Sequence, residues 1–205
     1  MKKLLVQSDG GARQNPGPAG AGCVAYLIDK YGGKDSIYEK AIYVEHASNN
    51  GAEYLGLKLA LEYVANQEAD EVEILLDSKL VVEQINKVWQ VKAPDLIPLH
   101  QECSKKLSAI RSRGTKVLIR WVPREQNQHA DSLANLAMDR KTGCEYRHNV
   151  KLDVQMARCL DAMITHENLV LDLIKNPKHI KNKRNELANT WEEVVQAWAA
   201  VKIDF

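Results

Sequence analysis

Apolar residues come first in short β-rich runs and then recur every three to four positions, and the switch divides the chain. Three β-rich runs come first: "KLLVQSDG" (3–10), "GAGCVAYLID" (20–29) and "SIYEKAIYVE" (36–45). Turn residues separate them, including "KYGGKD", so they predict three hairpin-connected strands in an antiparallel meander. From Asn50 to Gln67 the spacing of Ala52, Leu55, Leu59, Leu61 and Val64 is helical. "EVEILLD" (71–77) reads as a strand, and "SKLVVEQINKVW" (78–89) and "PDLIPLHQECSKKLSAIRS" (94–112) read as helices. "TKVLIRWVP" (115–123) is a fifth strand, and "NQHADSLANLAMDRK" (127–141) a helix with Asn127 as its expected N-cap. The order βββ-α-β-α-α-β-α predicts an α/β fold, a mixed five-stranded sheet with helices on its faces. After a break at "KTGCEYRHN", helical patterns cover about 151–175 and 185–202. We therefore expect a first domain at 1–142 and a helical extension at 143–205.

The glycine-rich stretch "VQSDGGARQNPGPAGAG" (6–22) invites a phosphate-loop reading, which fails on context. A Walker loop ends in Gly-Lys-Ser/Thr and opens a helix, and a dinucleotide fingerprint also runs from strand through glycines into a helix. Here the glycines lead into "CVAYLID", a strand. The stretch instead joins two strands, with Pro16, Gly17, Pro18 and Gly20 supplying turn chemistry. That leaves Asp9 at the end of the first strand.

Three further acids sit at comparable places. Glu53 is expected in the first turn of the first helix, Asp77 at the end of the fourth strand, and Asp131 early in the helix after the fifth. Taken singly, each has a plainer explanation as a turn, cap or helix-dipole residue. Taken together, adjacent first and fourth strands would bring Asp9 beside Asp77, with the two helix starts supplying Glu53 and Asp131. Crowded carboxylates repel one another unless cations neutralise them. Hard oxygen donors suit Mg²⁺ or Mn²⁺. Two such ions about 4 Å apart can activate water and stabilise the leaving oxygen in a phosphodiester displacement.

At this point the sequence resembles the ribonuclease H family, type I. "DGGARQNPGPAGAG", "SNNGAEYLGLKLAL", "LLDSKLVVEQI" and "WVPREQNQHADSLANLAM" look like its four motifs, in order, over about Lys3 to Lys141. The resemblance implies metal-dependent, internal cleavage of the RNA strand of RNA–DNA hybrids, with little dependence on base sequence. It assigns Asp9, Glu53, Asp77 and Asp131 to two Mg²⁺ ions during catalysis, with Mn²⁺ as the other candidate. It also assigns hybrid contacts to Asn15, Asn49 and Asn50 near the minor groove, to backbone groups from Gly10 and Gly11 to Arg13, and to Ser48 at a DNA phosphate. Amide and hydroxyl groups suit recognition of the 2′-OH. The plainer reading of Asn15 is a turn residue, and of Asn49–Asn50 a helix cap.

Two departures stand out. Many members carry a histidine in the loop before the last acid; here "PREQN" has none, and His129 lies two residues before Asp131, an offset that points elsewhere on a helix. Arg124 and Glu125 are the charged groups left in that loop, and lower turnover is expected. Some members also have a basic, tryptophan-bearing protrusion. The matching "NKVWQVKAPDLIPLH" carries only Lys87, Trp89 and Lys92. A related exonuclease would place an acid two residues after Asp9, where Gly11 stands. A non-catalytic hybrid-binding module is the reading from another class, and the presence of all four acids argues against it.

Composition narrows the rest. Lys plus Arg is 28 against 27 for Asp plus Glu, so a formal net charge of +1 announces no polyanion partner globally. Cys23, Cys103, Cys144 and Cys159 form no CxxC and read as reduced thiols. "MKKLLVQSD" is too short in its apolar run for a signal peptide, and no stretch approaches the ~20 apolar residues of a membrane helix, so no membrane partner and a cytoplasmic location are expected. In the extension, Leu187, Trp191, Val194, Val195, Trp198 and Val201 make an apolar stripe, and Met156, Cys159, Leu160, Met163 and Ile164 another. A helical hairpin is expected there, packed on the first domain, on a second copy in a homodimer or on a protein partner. Its basic link, with Lys175, Lys178, Lys181, Lys183 and Arg184, is a candidate for phosphate contact.

Overall fold

A computed structural model of the chain describes residues 2–28, 31–147, 166, 169–170 and 188–195. Strands β1 (Lys3–Ala12), β2 (Gly17–Ile28) and β3 (Lys34–Ala47) form the expected meander. Helix α1 (Asn49–Ala65), strand β4 (Glu71–Leu76), helices α2 (Lys79–Ile85) and α3 (Leu96–Ser112), strand β5 (Lys116–Trp121) and helix α4 (Gln128–Arg140) follow. Among the described residues the sheet has six strands rather than five, in the order β5-β4-β1-β2-β3-β6. The addition is β6 (Cys144–Arg147), which pairs antiparallel with β3 from Tyr38 to Ala41. It lies in the stretch expected to be a break between domains. The first compact unit therefore runs to Arg147, past the expected limit at 142.

β1 lies at the centre, parallel to β4 and antiparallel to β2. Helices cover both of its faces, which is why "LLVQSD" is buried throughout and shows no alternation. One face packs Leu4, Val6, Val72 and Ile74 against Tyr54, Leu57 and Leu61 of α1, with α3 behind through Cys103, Leu107 and Ile110. On the other face, Ala130, Leu133 and Ala137 of α4 meet Val24 and Ala41. Edge strand β5 alternates because only one of its faces is covered.

The glycines of the first hairpin mostly serve this packing. A Cβ on Gly10 would lie 2.0 Å from the Ala52 carbonyl oxygen of α1, and one on Gly22 2.4 Å from that of Ala130 in α4. At Gly11 the nearest atoms are 3.8 Å away. Gly10→Ala is therefore expected to destabilise by about 3 kcal/mol, the upper end of overpacking. Gly11→Ala should leave the melting temperature nearly unchanged; thermal melts of the two variants check the contrast. The left-handed residue of the turn is Gln14, at φ 66°, not a glycine, and the Asn15–Pro16 peptide is cis.

His148–Phe205 forms a second compact unit. Within it 188–195 is helical, and His166 Nδ1 lies 2.9 Å from Thr190 Oγ1 with its ring 5.1 Å from that of Trp191. Most of the expected hairpin, its basic link and Cys159 fall outside the described residues. Of the other cysteines, Cys23 and Cys103 are buried and free, and Cys144 is free and half-buried. Among the described residues no helix is long and apolar enough to cross a membrane.

Candidate active site

The parallel register Val6↔Ile74, Gln7↔Leu75 projects forward to set Asp9 level with Asp77. β4 stops at Leu76, whereas β1 continues to Ala12 on β2. Asp9 is thus inside a strand, not at its end, and what ends beside it is the neighbouring strand. The third acid comes from α1. A Cβ on Gly56 would lie 2.5 Å from the Asp9 carbonyl oxygen, so Gly10 and Gly56 together let the helix ride on the β1 backbone. Glu53 is carried in with it. It is the fifth residue of α1 rather than a first-turn residue, where the dipole effect fades.

One carboxylate oxygen from each of Asp9, Glu53 and Asp77 lies within 4.8 Å of the others. Asp9 is 6% and Glu53 9% exposed. Burial first, then the Asp77 charge, pushes Asp9 up to about 7. Burial and then the charges of Asp9 and Asp77 push Glu53 up to about 9. Among the described residues, Glu53 Oε2 is buried with no hydrogen-bond partner. An orphaned carboxylate oxygen beside two further carboxylates is a poor arrangement for a metal-free core and a fitting one for a hard divalent cation. The cluster offers oxygen alone, without thiolate or imidazole.

Asp131, in the first turn of α4, lines the same cavity of about 270 Å³ but stands apart from the three-acid cluster. Its Oδ1 accepts from the Arg124 guanidinium, a contact that raises the arginine above its ordinary value. Arg124 occupies the loop in which the resemblance would place a histidine. His129 points away, with Nδ1 2.8 Å from the Tyr26 hydroxyl and Nε2 3.3 Å from Glu39.

Asn127 holds the N-cap position of α4, but its side chain makes no cap. Fully buried, it donates from Nδ2 to the Ser8 carbonyl at 2.9 Å and to Asp77 Oδ1 at 2.7 Å. Its own carbonyl accepts from Asp131 N at 3.1 Å. One residue thus ties together the strand of Asp9, the carboxylate of Asp77 and the backbone of Asp131. Sequence pattern gave no sign of this beyond the cap preference, because both side-chain partners are distant along the chain. The Trp121 indole adds a bond to the Asp77 carbonyl at 2.9 Å.

Of the other candidates, Asn49, Gly10, Gly11 and Arg13 line the cavity, while Asn15, Ser48 and Asn50 do not. Asn15 Oδ1 accepts from Asn49 N at 2.8 Å, and Asn49 Oδ1 accepts from Ala12 N at 3.1 Å, tying the hairpin turn to the start of α1. Ser48 caps α1, accepting from Gly51 N at 3.1 Å, and donates to Asp95 at 2.9 Å. Asn50 is exposed beside them. Arg13 pairs with Asp139.

The sequence model of the reverse transcriptase-like family matches residues 7–137. The bifunctional protein Rv2228c of Mycobacterium tuberculosis is 42% identical over 137 residues, 67% of this chain and 36% of that protein; the chain thus matches about a third of this relative's length. The solved N-terminal RNase H domain of Rv2228c superposes with a TM-score of 0.60 at 40% identity, covering 68% of this chain and 96% of that one. RNase H1 of Halobacterium salinarum gives 0.59 at 36% identity, covering 67% and 98%. LC11-RNase H1, solved in complex with an RNA/DNA hybrid, gives 0.56 at 36%, again covering 67% and 98%. With the fold, the acid cluster and these likenesses in agreement, the chain belongs to the reverse transcriptase-like family as a member of its ribonuclease H type.

Proposed function

We propose that this protein hydrolyses the RNA strand of RNA–DNA hybrids, cutting internally and with little regard to base sequence. The observation that carries this reading is the buried Asp9–Glu53–Asp77 cluster with its unpartnered Glu53 oxygen, open to a cavity on the sheet end. Asp9, Glu53 and Asp77 would hold divalent cations, two during catalysis and Mg²⁺ or Mn²⁺ by donor type, with Asp131 at the flank. Bound there, such ions supply a nucleophilic water and neutralise charge on the leaving oxygen.

The chain's own groups do the rest. Asn127 fixes the Asp77 carboxylate, so the cluster is preorganised rather than assembled on binding. Arg124 shields Asp131 and brings positive charge to the cavity wall, where a phosphate must approach four acids. Asn15, Ser48, Asn49 and Asn50, with the α1 N-terminus and the backbone of Gly10, Gly11 and Arg13, present donors and acceptors for ribose and phosphate. Groups of that kind read sugar and backbone, not base identity.

End-labelled RNA–DNA hybrid, RNA duplex, DNA duplex and single-stranded RNA, each incubated with Mg²⁺, Mn²⁺ or EDTA, test the proposal. Internal cuts confined to the RNA of the hybrid and absent in EDTA are expected. Equal cutting of single-stranded RNA would overturn it, and so would hybrid binding without cleavage in either ion, the behaviour of a binding module.

A further inference from the structure

Gln7 is a polar residue, 7% exposed, in the central strand of the sheet. Its strand neighbours on the same face are Leu5 and Asp9, and the adjoining apolar cluster is Leu5, Leu75 and Val122. An aliphatic side chain would suit that packing, so a buried amide there needs bonds to justify it. It has two. Nε2 donates to the carbonyl of Gln126, and Oε1 accepts from the Tyr26 hydroxyl at 3.3 Å. The Tyr26 oxygen in turn lies 2.8 Å from His129 Nδ1, His129 Nε2 lies 3.3 Å from Glu39 Oε1, and Ser36 donates to the same carboxylate oxygen at 3.3 Å. A continuous polar chain thus runs from β3 across β2 to β1, behind the acid cluster, and ends on the residue next to Asn127.

The end point gives the chain its meaning. Gln126 closes a single 3-10 turn, Arg124–Gln126, held otherwise by local bonds such as Gln126 N to the Pro123 carbonyl at 2.9 Å. Asn127 must leave that turn with its amide aimed at both Ser8 and Asp77. The two bonds that tie this segment to β1, Gln7 to Gln126 and Asn127 to Ser8, use consecutive residues of that strand. The Gln126 carbonyl can only accept, so Nε2 faces the loop, and the Tyr26 hydroxyl donating to Oε1 braces the amide from the other side.

We infer that Gln7, oriented by the Tyr26–His129–Glu39 chain, is a positioning residue that seats Asn127 and so sets the Asp77 carboxylate for cation binding. This rests on the proposed function only in taking the acid cluster as a divalent-cation site. Outer-shell partners of metal ligands act in this way, holding a ligand's orientation without touching the ion.

The test uses the full chain and Mn²⁺ alone, read by the electron paramagnetic resonance of the free ion, together with steady-state cleavage of the hybrid. Gln7→Met keeps length and burial and removes both bonds. It is expected to weaken Mn²⁺ binding about ten-fold and to lower kcat to a similar degree, with the KM for hybrid and the melting temperature in EDTA little changed. Tyr26→Phe, which leaves the Gln7–Gln126 bond but removes the brace on Oε1, should weaken Mn²⁺ in the same direction by less. A lower melting temperature with Mn²⁺ binding untouched would assign Gln7 to stability alone and overturn the inference. If Gln7→Met fails to fold, Tyr26→Phe decides, and unaltered Mn²⁺ binding there rejects it. Wild type that binds Mn²⁺ but leaves the hybrid intact would remove the proposed function, while the Gln7→Met shift would still judge this inference.

Discussion

Replacing Asp77 by asparagine is expected to reduce hybrid cleavage by well over ~10²-fold, since loss of an outer-shell partner alone costs about 10–100-fold and Asp77 is read as a ligand itself. The substitution is conservative in shape. The asparagine oxygen still accepts from Asn127, now 2.7 Å from Asp77 Oδ1, and the backbone bond from Trp121 is untouched. What disappears is one negative charge and the better donor for a hard cation. Hybrid affinity in EDTA should hold or rise, because the cavity then repels phosphate less. Single-turnover cleavage and fluorescence anisotropy on the same labelled hybrid separate the two effects. A variant within ten-fold of wild type in cleavage would mean that Asp77 does not hold the ion.

The metal-free protein is expected to lose stability as pH rises. Asp9 is pushed up to about 7 and Glu53 to about 9, by burial first and by neighbouring carboxylates second. In the unfolded chain both titrate near 4. Between about pH 4 and 9 the folded state therefore holds protons that the unfolded state has released. The slope of stability with pH is then negative: the contribution is fully present below about 4 and lost as pH passes 7 and then 9. Each unit of displacement corresponds to about 1.4 kcal/mol, so even a heavily discounted sum reaches a few kcal/mol. In a chain of this size that is a fall of roughly 5–10 °C in Tm. Cations at the cluster take over the protons' role, so Mg²⁺ or Mn²⁺ should raise Tm more at pH 8 than at pH 5. Thermal melts in EDTA across pH 5–9, for wild type and Asp9→Asn, check this. The variant should show a shallower slope, and equal slopes would contradict the electrostatic account of the cluster.

Much of this was legible because the acids sit where the hydrophobic period changes. Asp77 follows "EILL" and Asp131 opens the pattern of α4, so element order alone suggested the neighbours of Asp9. The placement of Asp9 itself was less legible. Glycine after an acid looks like the end of a strand, yet Gly10 and Gly11 stay in the β1–β2 ladder, opposite Ala21 and Gly20. Gly10 is there to admit a helix, a requirement set by tertiary packing and invisible locally. β6 is not legible in the sequence because four residues, three of them exposed, carry too little alternation to stand out from a polar loop. Asn127 was legible as a cap and not as a clamp. Gln7 gave no local signal, since its contacts lie 19 and 119 residues away along the chain.

If the buried acids form a divalent-cation site, titration of Mn²⁺ into the metal-free full chain, followed by the resonance of the free ion, will register it. Saturable binding in wild type that is lost in Asp9→Asn is the predicted result. Binding that is equal in the two proteins, or absent from both, would contradict it.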